Sequence, residues 1–335
     1  MKIKVGINGF GRIGRVFFRQ AFDHAGIEIA AINDPHPTEE SAHLLKYDST
    51  YGIFEKDVSS DEKMLIVDGK KIRSFQERDP LKIPWKECGV DIVVEATGVF
   101  RTREQVGWHL SSGARKVILT APPKDPLDVM IVMGVNEDQY DPKQHQLISN
   151  ASCTTNSLAP VVKILHEAFG VEKGLMTTVH SFTNDQSTLD AHHKDLRRSR
   201  TASASIIPTT TGAAESVGKI IPELKGKLTG LSLRVPTTTV SITDFVFVAQ
   251  KKVTAEEVND VLKKAAAGKL NRILQVSFEP LVSIDFKGNT HSSIIDGLST
   301  MVVGNNLVKI LAWYDNEWGY CARLVDLCDF IGQSL

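Results

Sequence analysis

Apolar positions in the first half of the chain come as short continuous runs, at residues 3–8, 27–32, 91–95, 116–119 and 129–133. Runs of that length without polar alternation are those of strands buried on both faces. Phe17, Phe18 and Ala21 fall at helical spacing between the first two runs, so the pattern predicts strand, helix, strand and a doubly wound α/β sheet. Past residue 150 the texture changes. Leu158, Val161, Val162, Leu165 and Phe169 mark a helix, and strand-like runs at 174–179, 228–235, 240–248, 294–303 and 308–314 follow with longer connections. Only two further helices are predicted. One follows the Thr254-Ala255-Glu256-Glu257 capping box and carries Val258, Val261, Leu262 and Ala265; the other spans about 317–331. Strands outnumbering helices predict an α+β second domain with a largely antiparallel sheet. The polar stretch 181–205, with His192, His193, Arg197, Arg198 and Arg200, has no period. It predicts an ordered loop that closes a site or a subunit contact.

Composition narrows the classes. At 335 residues, 42% hydrophobic and 24% charged, the chain has the make-up of a folded protein of about two domains rather than a disordered or fibrous one. A net charge of -1 gives no reason to expect a primary nucleic-acid role or a membrane surface as partner. Cys88, Cys153, Cys321 and Cys328 lack the paired spacing of a zinc site or a disulfide framework, so no metal is expected and a reducing cytoplasm fits. Met1 leads directly into a strand, leaving no room for a signal peptide, and no apolar run approaches a membrane span.

The first strand ends in Gly9-Phe10-Gly11-Arg12-Ile13-Gly14 and opens a helix; the second ends at Asp34, 20 residues after Gly14. A lone G-x-G-x-x-G is a weak signal, but in this context it is a dinucleotide-binding Rossmann fingerprint. One glycine makes the turn, one admits a pyrophosphate close to the backbone and one lets helix and strand pack. The helix N-terminus then faces the anion. Asp34 can accept hydrogen bonds from ribose hydroxyls and would repel a 2′-phosphate, which argues for NAD over NADP. Thr97 and Thr120, just past two strand ends, are candidate cofactor contacts or simple turn residues.

Cys153, in Ser149-Asn150-Ala151-Ser152-Cys153-Thr154-Thr155-Asn156, sits where a strand gives way to the helix of Leu158–Phe169. Helix N-termini stabilise negative charge, so the position predicts a thiol with a lowered pKa. A buried structural thiol is the plain alternative.

Seven stretches together carry a resemblance: NGFGRIGR (8–15), SNASCTTN (149–156), GLMTTVHSFTNDQ (174–186), HKDLRRSR (193–200), IIPTTTGAA (206–214), PELKGKLTGLSLRVP (222–236) and LAWYDNEWGY (311–320). In this order, end to end, they closely resemble the phosphorylating glyceraldehyde-3-phosphate dehydrogenases. The resemblance implies an NAD-binding domain of residues 1–152 plus 316–335 and a catalytic domain of 153–315. It implies oxidation of glyceraldehyde 3-phosphate with NAD and inorganic phosphate, through a hemithioacetal and then a thioester on Cys153, with His180 as the partner base. Thr183 and Arg234 match the substrate-phosphate grip. Ser152, Thr154, Thr211 and Gly212 match the inorganic-phosphate site, with Arg198 close to both. Arg12 and Ile13 match the pyrophosphate loop, Asp34 the ribose acid, Arg78 the adenine side, Thr120 the nicotinamide end and Asn316 the carboxamide contact, while Gly9, Gly11, Gly14, Thr97 and Tyr320, which with Asn316 opens the last helix, are further expected cofactor residues. A cytoplasmic homotetramer is implied as well.

Two departures are informative. Ser157 stands where the family often has a second cysteine. Ala191-His192 stands where strictly NAD-dependent members resemble Leu-Pro, which leaves NADP use possible beside NAD. The competing readings are an erythrose-4-phosphate dehydrogenase on the same fold, a non-catalytic dinucleotide-binding regulator and a cysteine hydrolase.

Overall fold

A computed structural model describes residues 2–335. The chain divides into two compact units: residues 1–131, 136–152 and 321–335 form unit 1, and residues 132–135 and 153–320 form unit 2. The division after Tyr320, rather than at 316, follows from local bonding. Asp315 caps the final helix (Trp318–Gly332) by accepting from Glu317 N and Trp318 N, and its other oxygen accepts from Gly288 N, so the start of that helix is tied to unit 2.

Unit 1 is built on a nine-stranded sheet in the spatial order Val129–Met130, Leu147–Ser149, Lys116–Leu119, Ile92–Glu95, Ile3–Asn8, Ile27–Asn33, Lys70–Phe75, Met64–Val67, Val58–Ser60. The first seven pair in parallel and the last two add antiparallel. Chain order reverses on either side of Ile3–Asn8. That is the switch point at which doubly wound sheets bind ligands, outside the carboxyl ends of their strands. Ile92–Glu95 and Lys116–Leu119 are fully buried, as their unalternating runs require, and Ile3–Asn8 and Ile27–Asn33 are buried toward their carboxyl ends. The run at 129–133 yields only a two-residue strand: Ile131 N still reaches Ser149 O, but 132–135 turns away into unit 2.

Helices Thr38–Lys46 and Arg103–Ser111 carry no hydrophobic period. The first buries Thr38, Ser41, Ala42 and Leu45, and the second buries only Val106 and His109 behind a Thr102/Gln105 capping box. Small or polar buried residues leave periodicity nothing to register.

Unit 2 carries an eight-stranded sheet, mostly antiparallel, in the order Ile207–Thr210, Leu228–Val235, Val171–Ser181, Ser241–Ala249, Leu307–Tyr314, Ser293–Asp296, Leu274–Ser277, with Met301–Val303 pairing on Leu307–Tyr314. Two pairs are parallel, Val171–Ser181 with Leu228–Val235 and Leu274–Ser277 with Ser293–Asp296. Helix Cys153–Phe169 buries a broad face, and Thr254 makes both bonds of its capping box at the start of Ala255–Ala267. A third helix, Ala213–Ile220, adds to the two the pattern predicted. The run 294–303 is not one strand: Asp296 accepts from Ser299 N and breaks it at a short 3₁₀ turn. Residues 182–206 form a loop of turns and bends.

Candidate active site

In unit 2 the side chains that meet come from positions far apart in the chain. Ser149-Asn150-Ala151-Ser152 turns the strand into the helix, with Ala151 buried at φ 54°, the left-handed region that a residue with a Cβ rarely occupies. Cys153 is then the first residue of its helix. His180 lies near the end of Val171–Ser181, and parallel register sets it opposite Arg234. Cys153 Sγ is 3.4 Å from His180 Nε2, and Arg234 Nη1 is 2.7 Å from His180 Nδ1 and 3.2 Å from Ser181 O.

Ser181 O also lies 2.7 Å from His180 Nδ1, so two tautomers compete. With the hydrogen on Nδ1 given to Ser181 O, Nε2 faces the thiol as an acceptor. With Nδ1 accepting from Arg234, Nε2–H faces sulfur and would hold a thiolate. A guanidinium only donates, so proton movement at the sulfur end is coupled to what Arg234 bonds.

Electrostatics correct one expectation. Burial pushes the Cys153 thiol up, outweighing the pull of Arg234 and of the bonds around Thr154. The helix N-terminus does not make a resting thiolate. His180 is pushed down to about 3, by burial first and Arg234 second. Both groups therefore rest neutral, because desolvation disfavours each charged form.

Around this pair, Tyr314 is buried, with its hydroxyl 2.9 Å from Thr154 Oγ1 and 2.7 Å from Thr178 Oγ1, and its ring edge-on to His180. Asn316 Oδ1 takes hydrogen bonds from Ser181 and Ser241 at 2.8 and 3.0 Å, while Ser181 N donates to Ser241 Oγ at 3.1 Å. Turning the amide over would strand two buried hydroxyl hydrogens, so Asn316 is fixed with its oxygen toward Ser181 and Ser241.

The phosphate candidates form a second linked set. Arg198 donates to Thr209 Oγ1 at 2.7 Å and pairs with Asp185; Gln186 donates to Asp185 and accepts from Thr183 N at 3.1 Å. Arg234 feels both Arg198 and Asp185, which brings the two sets together. Arg234 Nε is buried without a hydrogen-bond partner, an orphan donor on a cation. Thr211 accepts from Ala213 N, and Gly212 caps helix Ala213–Ile220 with open space where a Cβ would stand. Ser152, partly buried, precedes the cysteine in unit 1. Tyr314, Ser181, Ser241 and Gln186 carry no spacing signal; only strand register and loop closure bring them in.

In unit 1 the glycines act as the motif requires. Gly9 has φ +91°, a Cβ at Gly14 would stand 2.1 Å from Gly9 O, and one at Gly11, the uncapped N-terminus of helix Arg12–Ala21, would meet nothing. Asp34 accepts from Phe10 N at 2.9 Å and from His36 at 2.6 Å, so the acid braces the loop. Arg12 bonds Asp48 at 2.5 Å beside the Tyr51 ring, and Ile13 O takes a weak bond from Cys321. Arg78 is exposed, Thr97 bonds Glu95, Thr120 N reaches Glu95 O, and Tyr320 is buried at the end of unit 2. A left-handed turn, an open first helical turn and a braced acid suit a dinucleotide. Among the described residues no acidic or sulfur cluster is grouped to hold a metal, and no helix is long and apolar enough to cross a membrane.

A switch-point glycine turn on a parallel sheet, and a helix-start thiol beside an imidazole and a guanidinium from a mostly antiparallel one, are the equipment of an NAD-dependent oxidoreductase. The family model for the glyceraldehyde 3-phosphate dehydrogenase NAD-binding domain matches residues 3–103, and that for its C-terminal domain matches 152–316. The chain is 58% identical over 334 residues to a glyceraldehyde-3-phosphate dehydrogenase of Geobacillus stearothermophilus, covering 100% of this chain and 99% of that one. It is 57% identical to glyceraldehyde-3-phosphate dehydrogenase 2 of Bacillus subtilis, covering 100% and 98%. It is 52% identical to the chloroplastic glyceraldehyde-3-phosphate dehydrogenase A of Zea mays, covering 99% and 83%. The chain belongs to the glyceraldehyde-3-phosphate dehydrogenase family, and NAD is its cofactor. Neither the erythrose-4-phosphate reading nor the regulator reading finds support among these relatives.

Proposed function

We propose that the chain oxidises D-glyceraldehyde 3-phosphate to 1,3-bisphosphoglycerate with NAD and inorganic phosphate, using Cys153 as nucleophile and His180 as base. The observation that carries this reading is Cys153 Sγ 3.4 Å from His180 Nε2 with Ser181 O 2.7 Å from Nδ1, which in the tautomer that gives the Nδ1 hydrogen to Ser181 leaves Nε2 open as the base. Sγ attacks the aldehyde carbon as its proton passes through Nε2 to the aldehyde oxygen, giving a hemithioacetal and leaving His180 neutral again. The bound nicotinamide supplies the hydride acceptor. His180 takes the hemithioacetal hydroxyl proton as the thioester forms, and phosphate oxygen then attacks the thioester and releases the thiolate. Splitting the reaction in this way keeps the oxidation energy in an acyl bond.

Arg234, with its orphan Nε, and Thr183, held by Gln186, grip the substrate phosphate. Ser152, Thr154, Thr211 and Gly212 receive inorganic phosphate, with Arg198 beside both. Gly9, Gly11, Arg12, Ile13, Gly14, Asp34, Arg78, Thr97 and Thr120 bind the cofactor in unit 1; Asn316, its oxygen held by Ser181 and Ser241, takes the carboxamide, and Tyr320 is a further cofactor residue. The Asp34 carboxylate favours NAD, and exposed Ala191-His192 leaves weaker NADP use open; kcat/KM for NADP equal to that for NAD would overturn this preference.

The enzyme works in the cytoplasm as a homotetramer. Leu175, Leu231 and Leu307, 63%, 44% and 41% exposed, share one face of the unit 2 sheet by register, an apolar face suited to a second copy. The test of the reaction is NADH formation from the triose phosphate with and without phosphate, repeated on Cys153→Ser. Phosphate-dependent turnover abolished by the substitution is expected; turnover indifferent to phosphate would replace this reading with a hydrolytic one.

A further inference from the structure

Beneath the carboxyl edge of the unit 1 sheet lies a closed polar network that the proposed chemistry does not use. Glu95, the last residue of Ile92–Glu95, and His109, on helix Arg103–Ser111, are both 0% exposed. Glu95 Oε1 accepts from Thr97 N at 2.8 Å and from the Thr97 hydroxyl; Oε2 accepts from Asn8 Nδ2 at 2.6 Å and His109 Nε2 at 2.9 Å. Trp85 Nε1 lies 3.1 Å from His109 Nδ1. An indole N–H only donates, so Nδ1 is the acceptor and Nε2 carries the hydrogen that goes to Glu95. The ring therefore has one arrangement.

Asn8 passes the bonding on. Its Oδ1 accepts from Asn33 Nδ2 at 2.7 Å, Asn33 clasps Glu77 through N–H and C=O at 2.9 Å each, and Asn33 O accepts from Gly9 N at 2.8 Å. The segments so tied are 8–9, 33–34, 77–78 and 97–98, each of which holds a residue assigned to the cofactor: Gly9, Asp34, Arg78 and Thr97.

We propose that Glu95, locked from behind by His109 and Trp85, is a positioning residue that holds these four cofactor-binding segments in one mutual arrangement. The inference rests on the assignment of those four residues to NAD. Two features make the device directional rather than a generic core contact. Four donors converge on one carboxylate with no cation beside it, an arrangement that cohesion alone would not need, since apolar packing holds a strand end without desolvating a charge. The segments are also in backbone contact: a Cβ on Gly9 would stand 2.6 Å from Thr97 N, so a shift of Thr97 reaches Gly9 without slack.

Glu95→Gln tests it. A glutamine has one acceptor oxygen and one NH₂, so whichever way it turns it sets donors against either the Thr97 pair or the Asn8 and His109 pair. KM and the dissociation constant for NAD should rise about tenfold, and ADP-ribose affinity should fall by a similar factor. At saturating NAD, kcat, the KM for triose phosphate and the iodoacetate reactivity of Cys153 should stay within about twofold, a split that simple destabilisation does not produce. Trp85→Phe, which unlocks the imidazole and also leaves space in the core around Trp85, should weaken NAD about threefold in the same pattern, and it carries the test if Glu95→Gln fails to fold. Unchanged NAD affinity in the variants that fold, or a loss matched by equal falls in kcat and alkylation, would overturn the proposal. Wild-type enzyme that binds NAD without oxidising the triose would sink the reaction and leave this inference standing; wild-type enzyme that does not bind NAD would overturn both.

Discussion

The two units make their sites from different materials. At the carboxyl edge of the unit 1 sheet the groups offered are mostly backbone: a glycine turn, an open helix start, and loop N–H groups aligned by buried side chains whose bonds all point inward. In unit 2 the groups offered are side chains gathered by sheet register, and some are left in costly states: a thiol raised by burial, an imidazole lowered, and a guanidinium with an orphan donor. A backbone site tolerates side-chain change and fails when the backbone is blocked. A side-chain site fails chemically while its fold survives.

The largest expected effect comes from removing the base. His180→Gln should lower kcat by roughly 10²–10⁴-fold while NAD affinity, a property of the other material, stays unchanged by equilibrium binding. A loss of NAD binding in this variant would erase the distinction between the two sites.

The pH dependence of stability should also sit in the side-chain site. His180 is ordinarily protonated below 6.5 but in the fold only below about 3. The unfolded chain thus binds the extra proton between those values, and stability is lost as pH falls through that window. The slope should be about 1.4 kcal/mol per pH unit. Cys153 has the opposite sense: its raised value keeps the thiol neutral in the fold, so its contribution is lost as pH rises past the ordinary thiol value. Urea melts of wild type and His180→Gln across pH 4–7 check the acid limb, which the substitution should flatten; identical slopes would place the titration elsewhere.

This contrast also explains what could be read without coordinates. Gly9, Gly11, Gly14 and Asp34 are legible because a turn, a helix start and a strand end are local events whose spacing is fixed along the chain. Cys153 at its helix start is legible for the same reason. His180, Arg234 and Tyr314 lie 27 to 161 residues from Cys153 in sequence, and nothing in their own spacing says that strand register will bring them together; the first two entered only through resemblance. The direction of the Cys153 shift was misread because dipole and desolvation oppose each other, and burial depth is not a local property of sequence. Glu95 and His109 were hidden too, a charged residue closing an apolar run and a histidine on a helix without period.

A sharper probe of the backbone site is a paired substitution. Gly14→Ala places a Cβ 2.1 Å from Gly9 O and should cost ~1–3 kcal/mol as well as NAD affinity. Gly11→Ala places its Cβ in open space, so thermal unfolding should barely move while NAD binding weakens where the pyrophosphate must approach. Equal losses of stability in the two would mean that the motif serves packing alone.

The smallest effect expected is at Tyr314, within the side-chain site, where one side chain acts by holding others. Thr154 bonds the Cys153 sulfur and favours its ionised form. Its hydroxyl has one hydrogen, so giving that hydrogen to sulfur requires that Thr154 Oγ1 accept from Tyr314, whose oxygen can then accept from Thr178. When Thr154 gives its hydrogen to the sulfur, the bonds run one way, from Thr178 through Tyr314 and Thr154 to the sulfur. Tyr314→Phe keeps the ring against His180 but cuts this chain, freeing Thr154 to turn and leaving Thr178 without its acceptor. Stability should fall by about 1–2 kcal/mol, and the pH midpoint of iodoacetate alkylation at Cys153 should move upward, with kcat reduced less than about tenfold. A stability loss with no movement of the alkylation midpoint would show that the hydroxyl chain is packing support and has no hold on the sulfur.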